Sequence, residues 1–171
     1  MSVDGMGVTG CGAAAWRSDR GELPLDKLTR RVDVERLSTE AVMEIQPKKP
    51  SRKGPAEMFT GEVWLDPIAT PQPPASFSVS AVHFSPGART AWHSHSHGQT
   101  LHVTDGEGLI QSRGELINRI RSGDTIHTPA DEWHWHGATP DHTMTHLTMT
   151  EGQPTWGEHV TDAEYHGDVA E

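Results

Sequence analysis

A single cysteine, Cys11, in a chain of 171 residues leaves nothing to pair within the molecule, so no internal disulfide framework can hold the fold. Cys11 sits in a Gly/Ala-rich stretch and reads as an inert exposed thiol rather than a redox centre. No run of 18 apolar residues occurs, which excludes a hydrophobic transmembrane helix. The first residues lack a basic segment followed by an apolar one, so no secretory signal is expected and the reading is cytoplasmic. Positive charge is scarce beyond the first third. Residues 54–171 carry 4 Lys/Arg against 16 Asp/Glu, a net of −12, whereas residues 1–53 carry 10 against 8, a net of +2. Arg89, Arg113, Arg119 and Arg121 alone cannot form the cationic face that displaces counterions from phosphates, so nucleic acid is excluded as a partner of this part. No membrane partner is expected either. Strongly anionic substrates are disfavoured unless a metal ion supplies the missing positive charge. A Ser-His-Asp order, a phosphate-binding glycine loop and a CxxC pair are all missing, which leaves hydrolase, kinase and zinc-ribbon readings without a foothold.

What is present changes character along the chain. Residues 1–24 are rich in Gly, Ala and Ser without periodicity and read as disordered. Leu25, Leu28, Val32, Leu37 and Val42 mark a weak amphipathic helix over 25–45, read as solvated rather than docked. Residues 46–56, QPKKPSRKGPA, hold three prolines and four cations and read as a linker or extended arm. Residues 1–52 are thus expected to be an N-terminal extension and 53–171 the folded domain. From Glu62 onward short strands are predicted at 62–66, 76–84, 88–95, 99–104, 107–112, 115–121, 124–128, 133–136 and 143–149. A four-proline loop separates the first two. The remaining breaks carry Pro86-Gly87, Asp105-Gly106, Arg113-Gly114, Ser122-Gly123 and Pro140-Asp141. Such spacing, with no long helical pattern in 60–150, predicts an all-β sandwich or barrel. Residues 156–166 read as a short helix or an edge cover.

The chemistry-bearing signal is histidine. Twelve occur, nine of them between residues 93 and 146. His93/His95 and His134/His136 are spaced i, i+2, which on a strand places both side chains on one face. Inside a small barrel these imidazoles would be buried polar groups in need of partners, and one divalent metal ion satisfies several at once. Gln99 shares a face with Leu101 and Val103, so it too should point inward, while His102 points away. His127 and His142 are placed outside the ligand set, and His97 on a surface loop. Trp92, Trp133 and Trp135 alternate with the histidines and should point outward. Their exposure would need a cover, and a homodimer or homotetramer through that face is expected.

These residues resemble the cupin superfamily. Gly87-ARTAW-His93-Ser94-His95-SHG-Gln99-TLHVTD-Gly106 fits its first motif at every spacing, with Gln where Glu is usual. Gly123-DTIHT-Pro129-Ala130-Asp131-EW-His134 fits the spacing of the second, with Asp131 in place of Gly and Ala138 in place of Asn. The resemblance implies a double-stranded β-helix, or jelly roll, with a metal at its centre. The segments KGPAEMFTG (53–61), PGARTAWHSHSHGQTL (86–101), HWHGATP (134–140), MTHLTM (144–149) and WGEHVTDAEY (156–165) are similar to small bacterial cupins that include the manganese-dependent hydroxynitrile lyases. In that group Gln replaces Glu as a ligand. The resemblance therefore implies ligation by His93, His95, Gln99 and His134, manganese as the first candidate with iron, zinc, nickel or cobalt as alternatives, and catalytic roles for His136 and His146. It also places a chain start near Met43, making residues 1–42 an extension or a misassigned start.

Three neutral imidazoles and a neutral amide would leave such an ion its full +2 charge, suited to polarising a carbonyl of a small-molecule substrate. His136 or His146 could then move a proton, and Thr90 could touch substrate. The leading expectation is a lyase of small carbonyl-derived substrates. An iron-dependent dioxygenase, a decarboxylase or isomerase, and a non-catalytic binding module are the alternatives.

Overall fold

The computed structural model describes Met43 and residues 45–170. Cys11, the stretch read as disordered, and all of the predicted helix over 25–45 except Met43 and Ile45 lie outside those residues. Among the described residues, twelve strands and one short helix follow in order: β1 (Arg52–Lys53), β2 (Phe59–Thr60), β3 (Val63–Ala69), β4 (Phe77–Phe84), β5 (Arg89–Thr90), β6 (His93–His95), β7 (Gln99–Ser112), β8 (Asn118–Arg121), β9 (Thr125–Thr128), β10 (His134–Ala138), β11 (Met144–Glu151), β12 (Pro154–Trp156) and α1 (Asp162–Tyr165). They form a curled sheet in the order β1-β3-β4-β11-β7-β10-β5-β2. β9 and β8 flank β7, and β6 pairs with both β10 and β12. Every strand ladder is antiparallel. This is the all-β barrel that the strand spacing predicts and the jelly roll that the cupin resemblance implies. No helix among the described residues is long and apolar enough to cross a membrane.

β7 is the corner of the barrel. Its first half pairs with β9 and β11, its second half with β8 and β10. The sequence predicts a break at Asp105-Gly106, but the strand bends there and continues. Gly106 has φ +77, and a Cβ on it would stand 1.9 Å from the Thr143 carbonyl oxygen, so only glycine fits the corner. The reverse happens over 88–95. One predicted strand becomes β5 and β6, because Ala91 donates to Met58 O at 2.8 Å and Trp92 to Glu158 O at 3.0 Å, leaving the β10 ladder. The arm predicted over 46–56 is only partly an arm. Residues 45–51 are irregular and exposed, but Arg52 and Lys53 pair with Leu65 and Trp64 as an edge strand. Likewise β3 runs through Pro67, which the sequence places in a loop.

Alternation decides what each wall buries. On β4, Val82 and Phe84 turn inward at 4% and 2% exposure, while Phe77 stays exposed. Val82 and Phe84 join Phe59, Val63, Leu101, Val103 and Met144 in the interior core. A second cluster lies outside the wall made by β10: Trp92, Leu109, Ile117, Trp135, Val160 and Tyr165. Here the structure corrects the sequence. Trp92 and Trp135 do point away from the interior, but they are 3% and 0% exposed. Their cover is the chain's own C-terminal segment. Gly157 N donates to Trp92 O at 2.8 Å, and Tyr165 packs on Trp135 with ring centroids 5.8 Å apart. The Arg113 guanidinium lies 4.6 Å from the Trp92 ring and 5.1 Å from that of Trp133. Trp92 and Trp135 therefore offer a second copy nothing to cover. α1 is held at its start by a capping box, Thr161 accepting from Glu164 N while the Glu164 carboxylate accepts from Thr161 N.

Candidate metal centre

β6 presents His93 and His95 to the interior, two residues apart on one face, at 2% and 5% exposure. β10 presents His134 and His136 in the same way, and its register places His134 directly opposite His93. Gly137 makes this approach feasible on the far side of the strand. A Cβ there would meet the Ala88 carbonyl oxygen at 2.4 Å, so only glycine lets β10 press against β5. The turn that delivers His134 contains Asp131 at φ +62, the position where the motif has glycine. Asp is among the residues that tolerate this left-handed backbone. Asp131 N donates to His95 O at 2.8 Å, tying the two histidine strands together.

One nitrogen each of His93, His95 and His134 lies within 4.8 Å of the other two. Their protonation is decided by burial. The His93 imidazole titrates well below the ordinary 6.5, mainly through desolvation and then through the neighbouring His134. His95 is pushed down to about 4 by the same two causes. Burial lowers His134 as well, against the opposing pull of the Glu132 carbonyl. All three are neutral at pH 7, which is the ligating form. Backbone carbonyls then choose the tautomers. His93 Nδ1 donates to Ala91 O at 3.0 Å and His134 Nδ1 to Glu132 O at 2.9 Å, so both keep a lone pair on Nε2.

Gln99 completes the arrangement. Its amide nitrogen donates to Thr148 Oγ1 at 2.9 Å, which turns its carbonyl oxygen toward His134 Nε2 at 2.8 Å. Two lone pairs thus face each other with no proton between them. That contact repels unless a cation lies against both atoms. Both ring nitrogens of His95 are buried without a hydrogen-bond partner, a second unmet demand in the same place. His93, His95, Gln99 and His134 therefore fit a divalent metal ion by their chemistry as well as their convergence. Thr148 was missed from sequence. It sits two residues after His146 on the same strand face, and that alternation was the signal available.

His136 and His146 meet beside this cluster. His146 Nε2 lies 3.3 Å from His136 Nδ1, and the outer nitrogens, His136 Nε2 and His146 Nδ1, are buried without partners. Burial holds His146 down to about 4 and His136 well below its ordinary value, the second also through its neighbour His146. Thr90 Oγ1 accepts from His136 N at 3.1 Å and so anchors the strand that carries it. Of the other histidines, those weighed in the sequence stand apart: His97, His127 and His142 are exposed, and His102 bonds to Thr125 on the outer face.

A cavity of about 560 Å³ opens onto these groups. Thr90, His93, His95, Gln99, His136 and His146 form its floor. Phe59, Met58, Leu65, Val82 and Trp156 line an apolar wall, and Ser78, Ser80, Thr148 and Thr150 a hydroxyl-bearing one. The sequence did not foresee the aromatic pair Phe59–Trp156, 5.9 Å between centroids, because β2 and β12 are too short to show a pattern.

Comparison with known proteins agrees with the architecture. The cupin-domain family profile matches residues 80–150. An (R)-mandelonitrile lyase of Granulicella tundricola is 48% identical over 119 residues, which span 67% of this chain and 91% of that one. A cupin-like protein of Thermotoga maritima of known structure is 36% identical, with a TM-score of 0.67 over 74% of this chain and 98% of its own. The polyketide cyclase RemF of Streptomyces resistomycificus, 18% identical with a TM-score of 0.57 over 72% of this chain and 91% of its own, shares the fold alone. With its motifs, its jelly roll and a 48%-identical relative matched over 91% of that relative's length, this chain belongs to the cupin superfamily.

Proposed function

We propose that the protein is a metal-dependent lyase that cleaves small cyanohydrins into an aldehyde and hydrogen cyanide, with His93, His95, Gln99 and His134 as ligands and manganese as the ion. The relative named (R)-mandelonitrile lyase supports this choice of reaction. A divalent ion held by three neutral imidazoles and one amide supplies an undiminished positive charge that polarises a carbonyl or hydroxyl oxygen.

The observation that carries the reading is the linked pair His136–His146 on the floor of the same cavity. Each neutral imidazole owns one N–H. Joined through Nδ1 and Nε2, the pair must present one outer nitrogen with a proton and one with a lone pair, whichever tautomer is adopted. That is the equipment for cyanohydrin cleavage. The lone-pair nitrogen takes the hydroxyl proton as the carbon–carbon bond to cyanide breaks. A proton shifts across the internal contact, and the other outer nitrogen gives one to the departing cyanide. Atoms and charge balance, and the pair is left in its mirror tautomer. Thr90 keeps His136 in place, and the apolar wall excludes water from the reacting end.

The test is mandelonitrile cleavage by manganese-loaded protein, with metal content measured on every variant. His136→Ala and His146→Ala are each expected to retain metal and to lose about 10²-fold or more in kcat, the scale of one acid–base group. Full activity in either variant overturns the assignment. Oxygen uptake by iron-loaded protein with no cyanide release would replace the lyase by a dioxygenase.

A further inference from the structure

Charge enters the cavity at one place. Among the residues that line it, Arg52 and Lys53 are the charged ones, and no carboxylate joins them. This is notable in a domain whose residues 54–171 carry 16 acids and 4 bases. Three of those four bases are committed elsewhere: Arg89 to Asp162, Arg113 to Glu158 and Arg119 to Glu107. Among the described residues, Arg52 and Lys53 take part in no salt bridge.

Their position is built, not incidental. β1 pairs Arg52 with Leu65 and Lys53 with Trp64, and Gly54 N donates to Val63 O at 2.8 Å. Leu65, opposite Arg52, itself lines the cavity. The sequence places both cations in the stretch read as an arm, 46–56, at the boundary between the extension (1–52) and the domain (53–171), and gives neither a role. Pairing across the edge returns them to the mouth of the site. The cavity lining therefore combines polar nitrogens, an apolar band that includes Phe59 and Trp156, and a cationic edge at β1, where Arg52 shares the inward face of Leu65 while Lys53 lies opposite the exposed Trp64.

We infer that the substrate carries a carboxylate at the end remote from its reacting carbon, with an apolar body the size of one aromatic ring between them. The identity of the reacting end rests on the lyase reading above, whereas the anionic end can be tested without turnover. A cavity of about 560 Å³ admits a molecule of this size. An exposed cation contributes modestly to binding, and Arg52 acting on the carboxylate corresponds to at most about fivefold in affinity.

The experiment is calorimetric titration of manganese-loaded protein with 4-(hydroxymethyl)benzoate and with benzyl alcohol. The carboxylate ligand is expected to bind up to about fivefold more tightly. That preference should shrink as salt is raised. It should survive removal of the metal with a chelator, and it should vanish in the Arg52→Gln/Lys53→Gln variant. Equal binding of the two ligands overturns the inference. So does a preference that persists in the double variant, or one that disappears with the metal, since the carboxylate would then sit on the ion. Preference without cyanohydrin cleavage would sink the reaction and support the anionic end. Cleavage of mandelonitrile without preference would do the opposite.

Discussion

β10 has two faces with opposite physical characters. Its inner face carries His134 and His136, buried imidazoles held neutral among orphaned nitrogens. Its outer face carries Trp135, fully buried, with its indole N–H donating to Gln111 Oε1 at 2.7 Å. The inner face leaves polar demand unmet, which fits the binding of a metal ion. The outer face meets every demand within the chain. Local stability and local function are thus separated by the thickness of one strand. The inner face accepts buried polar groups because the outer cluster, with Tyr165 and Val160 sealing it, binds the wall firmly.

That separation can be broken deliberately. Trp135→Ala should have the largest effect, a loss of about 3–5 kcal/mol in unfolding free energy by denaturant titration, typical of deleting a buried aromatic. Metal stoichiometry at temperatures below unfolding should remain that of the wild type. Loss of metal at unchanged stability would show that the two faces are not separable. A pH titration of metal-free protein comes next. His146 is pushed down to about 4 from 6.5, so between these values the unfolded chain binds a proton that the folded one refuses. Stability should be level above pH 6.5 and fall as pH drops toward 4, by about 1.4 kcal/mol per unit from this residue. A stability that holds constant from pH 7 to 4.5 would mean that the inner face is wetter than its burial implies. The smallest effect is expected for Tyr165→Phe. The tyrosine hydroxyl donates to Ala138 O at 2.6 Å at the end of β10, and its loss should cost about 1 kcal/mol with metal affinity unchanged.

Much of this was legible beforehand. The i, i+2 histidine pairs, Gln99 in phase with Leu101 and Val103, and the glycine-punctuated short strands all express side-chain alternation, a local property. The jelly roll followed from the two motifs. Strand limits were less legible. β7 continues through Gly106, and β5 and β6 separate at Ala91–Trp92, because each depends on which neighbour supplies the ladder. The outward tryptophans were read correctly in direction but not in fate, since their cover comes from residues more than twenty positions away. Alternation with His146 could show that Thr148 faces inward, but its pairing with Gln99, like the place of Arg52 and Lys53 along the cavity, was out of reach of any local pattern.

The sequence by itself determined the repeating inward set and hence the chemical kinds of group that gather at the centre, because alternation along an extended chain is dictated by backbone geometry. Only the tertiary structure decided which groups touch: the 2.8 Å opposition of Gln99 and His134, the His136–His146 contact, and the return of β1 to the mouth. Those depend on register and closure between distant strands, which no stretch of chain carries within itself.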